Sequence, residues 1–276
     1  MKLISNHKQL DLSRPQIMGI LNATPDSFSD GGKFHQLDKA LLQVDAMIEA
    51  GASIIDIGGE STRPGAKEVT LEDELSRVIP LVKAIRQKSD VWISIDTSKA
   101  EVMKQSIECG ADIINDVRSL RLSGALDVVA KANVPVCIMH MQGEPKTMQD
   151  NPEYQDVLQD VDDFLTQRIE QCITAGIKRE NIIIDPGFGF GKTLEHNYRL
   201  LANLEHFHQY KLPILAGMSR KSMVSKALGK PTSECVIGSV VCATLAAQQG
   251  AQIIRVHDVQ ETQDAMRILE MIQTNR

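Results

Sequence analysis

Several features that would point to an unusual environment are scarce in this chain of 276 residues. Aromatic side chains make up 4% of it, with a single tryptophan, and its five cysteines form no CxxC pair. No stretch is both long and apolar enough to cross a bilayer, and the first residues lack the apolar core of a signal peptide. We therefore expect a cytoplasmic protein whose cysteines are buried, reduced thiols.

An excess of positive charge is also missing. The chain has 36 acidic and 30 basic residues, which gives a formal net charge of -6. This balance argues against a nucleic acid or an anionic membrane as the partner. An anionic ligand would have to be held by a local cluster of cationic side chains.

What the chain does contain is a series of eight apolar runs, almost all of which end on a polar residue. They lie at 17–22, 54–60, 92–96, 113–116, 136–140, 182–185, 214–219 and 253–257. Continuous apolar runs are typical of parallel strands that are covered on both faces. They recur about 34 residues apart, the size of one βα unit. The pattern predicts a (β/α)₈ TIM barrel, formed as a single domain by residues 1–276, with its active site at the carboxyl ends of the strands. A doubly wound open sheet is the alternative, but eight near-equal units favour closure.

A repeated motif supports the barrel. Gly-Ala-x-Ile-Ile occurs at residues 51–55, 110–114 and 250–254. A glycine in this place is typical of the left-handed residue that ends a helix before the next strand. The loops richest in proline and glycine would lie on the catalytic face, at 22–35, 58–67, 140–152 and 185–193.

Five longer motifs stand at the ends of the runs or in the loops that follow them. They are Asn-x-Thr-Pro-Asp-Ser-Phe-Ser-Asp-Gly-Gly at 22–32, Gly-Gly-Glu-Ser-Thr-Arg-Pro-Gly at 58–65, Asp-Pro-Gly-Phe-Gly-Phe-Gly-Lys at 185–192, Gly-Met-Ser-Arg-Lys-Ser at 217–222 and Arg-Val-His-Asp-Val at 255–259. Together they resemble the signatures of the dihydropteroate synthase family, a family of pterin-binding TIM barrels, in register along nearly the whole chain. That family joins (7,8-dihydropterin-6-yl)methyl diphosphate to 4-aminobenzoate, which releases diphosphate and forms 7,8-dihydropteroate for folate biosynthesis. The resemblance therefore implies a transferase of this kind.

The resemblance implies a pterin pocket at the strand ends. Its residues would be Asp96, Asn115, Met139, Asp185, Lys221 and Arg255. A buried carboxylate such as Asp185 can accept the adjacent N–H donors of the pterin's aminopyrimidinone edge. A single aspartate at a strand end is about as often a helix cap. Three acid or amide groups at one barrel mouth make capping a poor explanation for all of them.

The resemblance also implies sites for the diphosphate and for the second substrate. The diphosphate would be bound by Asn22, Thr62, Arg63, Arg255 and His257, and 4-aminobenzoate by Phe28, Pro64, Phe190 and Ser219. Asn22 is the expected protein ligand to Mg²⁺, the implied cofactor. Arg255 and His257 alternate along one run, so both can face the barrel mouth.

These groups predict a dissociative substitution at the pterin methylene carbon. Mg²⁺ and the cationic side chains would stabilise the departing diphosphate, and Asp96 and Asp185 the pterin cation. The loops at 22–35 and 60–67 would close and exclude water. The residues indicate no dedicated general base. The resemblance further implies a homodimer formed through the last helices, and inhibition by sulfonamides that compete with 4-aminobenzoate.

Two other functions stay open at this point. A methyltetrahydrofolate methyltransferase barrel would share the strand-end Asp and Asn. Such a barrel would lack the diphosphate-binding side chains of the first loop, and it would also lack Arg63 and the pair of Arg255 and His257. A catalytically silent pterin-binding barrel should have lost loop residues first, and none of the positions named above is altered.

One further segment looks like a phosphate-binding loop. It is Gly-Phe-Gly-Phe-Gly-Lys-Thr at 187–193. Only three residues separate its first glycine from Gly-Lys-Thr, where the nucleotide-binding motif needs four. We therefore expect its lysine, Lys192, to lie at the surface.

Overall fold

The apolar runs of the sequence form the strands of a parallel barrel in the computed structural model of the chain. The structure describes residues 1–5, 8–23, 33–61, 68–143, 148 and 152–275, except for the side chains of 33–35. The elements within these ranges are β1 Lys2–Ser5, β2 Lys8–Asp11, β3 Gln16–Asn22, α1 Lys33–Glu49, β4 Ile54–Gly58, α2 Leu71–Lys88, β5 Trp92–Asp96, α3 Ala100–Glu108, β6 Ile113–Asp116, α4 Ala125–Ala132, β7 Val136–Met139, α5 Val157–Thr174, β8 Ile182–Asp185, α6 Leu194–Ala202, β9 Leu215–Ala216, α7 Ser222–Leu228, α8 Val236–Gln248, β10 Ile253–Val256 and α9 Val259–Thr274.

The sheet closes on itself. Its eight strands are hydrogen-bonded in the order β8-β7-β6-β5-β4-β3-β10-β9. The two outer strands of this order meet where Ile184 bridges to Ile214 and the Ile184 N–H donates to the Pro213 carbonyl at 2.9 Å. The predicted (β/α)₈ barrel is therefore confirmed, and an open sheet is excluded.

The repeated Gly-Ala motif marks the returns from helix to strand. Gly51, Gly110 and Gly250 follow α1, α3 and α8 and have φ angles of 104°, 103° and 86°. These angles lie in the left-handed region that glycine enters without a steric cost. The three sites thus have the conformation that the repeat predicts.

The inner face of the barrel is apolar at its amino end. Each strand contributes one residue to this layer: Met18, Ile54, Trp92, Ile113, Cys137, Ile183, Leu215 and Ile253. Leu3, Leu10 and Leu12 pack against the layer, and the first two belong to the antiparallel hairpin of β1 and β2. The hairpin therefore closes the amino end of the barrel with an apolar plug.

The outward positions of the strands pack against the helices. Ile55 and Ile57 of β4, for example, share one apolar cluster with Val78 and Val82 of α2. Both faces of each strand are thus covered, which is why the runs are almost continuously apolar.

All five cysteines are free, and every one except Cys109, which is partly exposed, is buried. Among the described residues, no helix combines the length and the apolar character needed to span a membrane.

Candidate active site

The inner face of the barrel becomes polar toward the carboxyl ends of the strands. Residues two positions apart in a strand point to the same side, so the next inward positions follow directly from the apolar layer. On β3 this position is the apolar Ile20, and on the other strands and just beyond them they are Asp56, Ser94 and Asp96, Asn115, Met139, Asp185, Gly217 and Arg255. The same strands that carry the plug at one end therefore gather charged and amide groups at the other.

Arg255 lies between two buried carboxylates. Its Nε donates to Asp56 Oδ2 at 2.6 Å and its Nη2 to Asp96 Oδ2 at 2.8 Å. Burial raises the pKa of Asp96 to about 7, although Arg255 opposes this and Asp56 adds to it. Burial acts to lower the pKa of Arg255, but the carboxylates of Asp56 and Asp96 outweigh it and the pKa is raised. Arg255 stays charged, and the pocket carries more carboxylate than this one guanidinium neutralises.

Asp56 is a residue of the site that the sequence reasoning missed. It is fully buried in the middle of β4, and its Oδ2 also accepts from Asn115 Nδ2 at 3.3 Å. Its Oδ1 is buried without a hydrogen-bond partner in the described part of the chain. Asp56 is a charged residue inside an apolar run, two positions after the inward-facing Ile54. This spacing places it on the inner face of the barrel and could have identified it.

Asp185 and Lys221 meet through the turn that follows β8. The backbone N–H of Gly187 donates to Asp185 Oδ1 at 2.7 Å. Lys221 Nζ donates to the Phe188 carbonyl at 2.6 Å and lies 4.5 Å from the centre of the Phe190 ring. Burial raises the pKa of Asp185, which Lys221 opposes, and burial lowers the pKa of Lys221 to about 8. A carboxylate, an ammonium group and an aromatic ring are thereby held side by side.

Ser219 and His257 form a second polar pair at the barrel mouth. Ser219 Oγ and His257 Nδ1 are 3.1 Å apart, and the His257 backbone N–H donates to the same Oγ, also at 3.1 Å. Asn22 ends β3 and is partly exposed beside its register partner Gly58.

Met139 forms part of the buried wall of the pocket. Its backbone N–H donates to Ser119 Oγ at 2.8 Å, and that hydroxyl donates to the Met139 carbonyl at 2.6 Å. The backbone N–H and the backbone carbonyl of Met139 are therefore both hydrogen-bonded to the Ser119 side chain. Met139 also shares a small apolar cluster with Phe190.

The structure thus brings together most of the predicted site residues. Those in the described ranges are Asn22, Asp96, Asn115, Met139, Asp185, Phe190, Ser219, Lys221, Arg255 and His257. Phe28, Thr62, Arg63 and Pro64 lie outside the described residues. The roles of all of them toward substrate stay predictions.

Two further findings concern metals and the lysine of the phosphate-loop-like segment. No group of three or more His, Cys, Asp or Glu side chains in the described ranges could hold a metal ion. The expectation that Lys192 lies at the surface is wrong, because only 3% of this residue is exposed. Its ammonium group turns inward and hydrogen-bonds to the loop itself.

The chain is similar to known proteins over its whole length. Residues 18–257 match the model of the family described as pterin binding enzyme. A dihydropteroate synthase of Escherichia coli strain K12 is 57% identical over 270 residues, which cover 98% of this chain and 96% of that protein. The Yersinia pestis dihydropteroate synthase, solved as a complex with a sulfonamide drug, superposes with a TM-score of 0.95 at 57% identity, over 99% of this chain and 100% of that one. The Xanthomonas albilineans dihydropteroate synthase, solved with 4-aminobenzoic acid, has a TM-score of 0.93 at 44% identity, over 100% of this chain and 99% of that one. The chain belongs to the dihydropteroate synthase family of pterin binding enzymes.

Proposed function

We propose that this enzyme condenses (7,8-dihydropterin-6-yl)methyl diphosphate with 4-aminobenzoate to give 7,8-dihydropteroate and diphosphate, the transferase step of its family in folate biosynthesis. The observation that carries the proposal is the polar layer at the carboxyl ends of the strands, where the buried Asp96, Asn115 and Asp185 lie around the partly buried Arg255, which donates to Asp96. Similarity to dihydropteroate synthases along nearly the whole chain supports the same reaction.

The pterin would bind among the buried acid and amide groups. Asp185 and Asn115 supply acceptors and a donor for the aminopyrimidinone edge. The unpartnered Oδ1 of Asp56 lies in the same layer, and an N–H donor of a bound ligand would satisfy it. As the bond from the methylene carbon to the diphosphate oxygen breaks, the carboxylates of Asp96 and Asp185 stabilise the positive charge left on the pterin.

The diphosphate would leave toward the cationic side of the mouth. Arg255 lies in β10, and His257 is the first residue after this strand. We assign Arg63 and Thr62 as further donors to the diphosphate. Donors arranged in advance around the leaving oxygen stabilise the negative charge that develops there. The amine of 4-aminobenzoate then forms the new carbon–nitrogen bond at the methylene carbon that the diphosphate has left, and it releases a proton to solvent.

We assign Mg²⁺ to Asn22 at the mouth. The amide oxygen of Asn22 is a hard donor of the kind that Mg²⁺ accepts, and a site with few protein ligands suits an ion held mainly by phosphate oxygens and water. When bound, the ion neutralises charge on the diphosphate. Chelation of divalent cations should abolish turnover, and added Mg²⁺ should restore it.

The second substrate would bind beside the pterin, against Phe190 and Ser219, with Phe28 and Pro64 as its other partners. Solved relatives bound to 4-aminobenzoic acid and to a sulfonamide drug support 4-aminobenzoate as the second substrate. Sulfonamides should therefore inhibit the enzyme in competition with 4-aminobenzoate. Inhibition that does not weaken as the concentration of 4-aminobenzoate rises would contradict a shared site.

We also propose that the enzyme is a homodimer that works in the cytoplasm, where its five free thiols stay reduced. The last two helices leave apolar side chains exposed: Ile237, Val241 and Leu245 on α8, and Ile268, Met271 and Ile272 on α9. Ile237 is 80% exposed, and an apolar patch of this kind marks an interaction surface. Ile237→Asp should yield monomers in sedimentation experiments. Leu42→Asp, at an exposed leucine of α1, is the matched control and should leave the oligomeric state unchanged.

The decisive experiment follows diphosphate release and dihydropteroate formation in parallel, with Mg²⁺ and the pterin diphosphate, with and without 4-aminobenzoate. Turnover that depends on both substrates is the expected result, and a burst of release without 4-aminobenzoate would support a dissociative step. Pterin binding without release would indicate a silent barrel. Methyl transfer from methyltetrahydrofolate in place of condensation would indicate the related methyltransferase.

A further inference from the structure

Lys192 is a buried lysine with a complete set of uncharged acceptors. Its Nζ lies 2.9 Å from His140 Nδ1, 2.8 Å from the Gly187 carbonyl and 3.1 Å from the Phe190 carbonyl. The His140 carbonyl is a fourth, longer contact at 3.4 Å. Burial lowers the pKa of Lys192 to about 7. In its protonated form the group has three N–H donors, and the three short contacts use all of them. The position of this group is therefore closely determined.

His140 provides a rigid partner for this ammonium group. Burial and the neighbouring Lys192 lower the pKa of His140 to about 2, so the ring is neutral. Because an ammonium group can only donate, Nδ1 is the acceptor in its contact with protonated Lys192. The ring packs edge-on against Phe164 with 5.1 Å between ring centres. It also lies 5.9 Å from the Tyr154 ring, whose hydroxyl donates to the Gly191 carbonyl at 2.6 Å. Lys192 is thus held by a histidine ring whose own position is fixed by Phe164 and Tyr154.

The turn held by Lys192 carries groups of the active site. The Phe190 N–H donates to the Gly187 carbonyl at 3.2 Å, which closes a tight turn, and Lys192 binds the carbonyls at both ends of it. Gly187 has a φ of +75°, and a Cβ atom there would lie 1.8 Å from the His140 carbonyl oxygen. The turn therefore packs directly on the backbone of His140. It reaches the site through the Phe190 ring and through the Phe188 carbonyl that binds Lys221.

The two sides of the pocket depend on this turn to different degrees. Asp185 belongs to β8, and its carbonyl accepts from the His140 N–H at 3.0 Å within the barrel framework. Phe190 lies beyond the last residue of that strand, so the turn and the side chains around it set its place. A loosened turn would displace Phe190 more than Asp185 or Lys221, because the Lys221 backbone belongs to the start of α7.

We propose that Lys192, anchored on His140, is a positioning residue for the second substrate: it holds the turn at 187–190 so that the Phe190 ring lies where 4-aminobenzoate binds. The inference rests on the proposed function, in which Phe190 contacts that substrate. It assigns a structural task to the lysine of a segment that only resembles a phosphate-binding loop.

The test separates the two substrates kinetically. Lys192→Met keeps an unbranched apolar stem and removes every donor. We expect the KM for 4-aminobenzoate to rise about tenfold or more, while the KM for the pterin diphosphate stays within about threefold of wild type. His140→Leu removes the anchoring acceptor and should shift the same KM in the same direction. His140→Asn keeps an acceptor near the place of Nδ1 and should return the KM toward the wild-type value.

Lys8→Met is the matched control for a general loss of stability. Lys8 is a partly buried lysine at the other end of the barrel, where it donates to Asp112 at 3.2 Å and to the Val91 carbonyl at 3.3 Å. Its loss should lower the thermal midpoint and leave both KM values unchanged.

Three outcomes would overturn the inference. The first is an unchanged KM for 4-aminobenzoate in Lys192→Met, and the second is an equal rise of both KM values in that variant. The third is a rise of the KM for 4-aminobenzoate in Lys8→Met in proportion to the stability that this control loses. If Lys192→Met does not fold, the comparison of His140→Leu with His140→Asn decides, because equal KM values in the two would contradict the anchor. Absence of turnover in the wild-type enzyme under the same conditions would refute the proposed function instead.

Discussion

The two ends of the barrel both bury aspartate beside arginine, and they differ in how completely the charges are satisfied. At the amino end, Asp112 Oδ2 accepts from Arg86 Nη2 at 2.5 Å, from Lys8 Nζ at 3.2 Å and from the Ile93 N–H at 2.9 Å. At the carboxyl end, Asp56 and Asp96 share Arg255, and Asp56 Oδ1 is left without a partner among the described residues.

This difference separates stability from function within one set of strands. A buried carboxylate with several donors contributes to folding, because each donor replaces a lost contact with water. Buried carboxylates that crowd together repel one another, which opposes folding. They persist at the carboxyl end, where a cationic or N–H-rich ligand would supply the missing donors. The amino end is thus completed by the chain itself, and the carboxyl end by what binds there.

The sharpest way to test this comparison is Asp185→Asn at the carboxyl end. We expect kcat/KM to fall by about 30- to 1,000-fold, or about 2–4 kcal/mol of transition-state stabilisation, because an amide cannot neutralise a pterin cation. Burial already opposes the charge of Asp185, and an asparagine Oδ1 can still accept from Gly187. The thermal midpoint should therefore not decrease. A variant with unchanged kcat/KM would refute the role of Asp185.

The converse substitution is Asp112→Asn at the amino end. Removing this charge leaves Arg86 and Lys8 without their ionic partner, and we expect the free energy of unfolding to fall by about 2–3 kcal/mol. Urea unfolding measures this loss. The kcat/KM of the folded variant should stay within about twofold of wild type. A large loss of activity at full folding would show that the two ends are not independent.

A smaller effect is expected from the pH dependence of Asp96. Its pKa rises from 3.8 to about 7 on folding, so the folded protein keeps a proton that the unfolded chain releases. This contribution to stability is complete below about pH 4 and is lost as the pH rises through about 7.

The free energy of unfolding of Asp96→Asn, measured relative to wild type, should therefore increase by about 2–3 kcal/mol between pH 5 and pH 8. Urea unfolding of the free enzyme at both pH values measures the change. A difference between the two proteins that does not vary with pH would mean that Asp96 is not protonated in the folded state.

Much of this architecture is local and can be predicted from the chain. Apolar runs at a constant spacing predict the strands, since burial on both faces demands continuous apolar residues. The ends of those runs locate Asp96, Asn115 and Asp185, because a barrel brings all its strand ends to one face. The left-handed glycine of the repeat depends only on its neighbours in sequence.

Other features depend on partners that are distant in sequence. Asp56 became part of the site because it points inward and pairs with Arg255, 199 residues away. Lys192 turned inward because its three acceptors lie on His140 and on a turn closed against that residue. Sequence patterns determine which residues lie on a strand and on which face. Long-range packing determines which charges meet, because a buried ionisable group is tolerated only where the folded chain provides its partners.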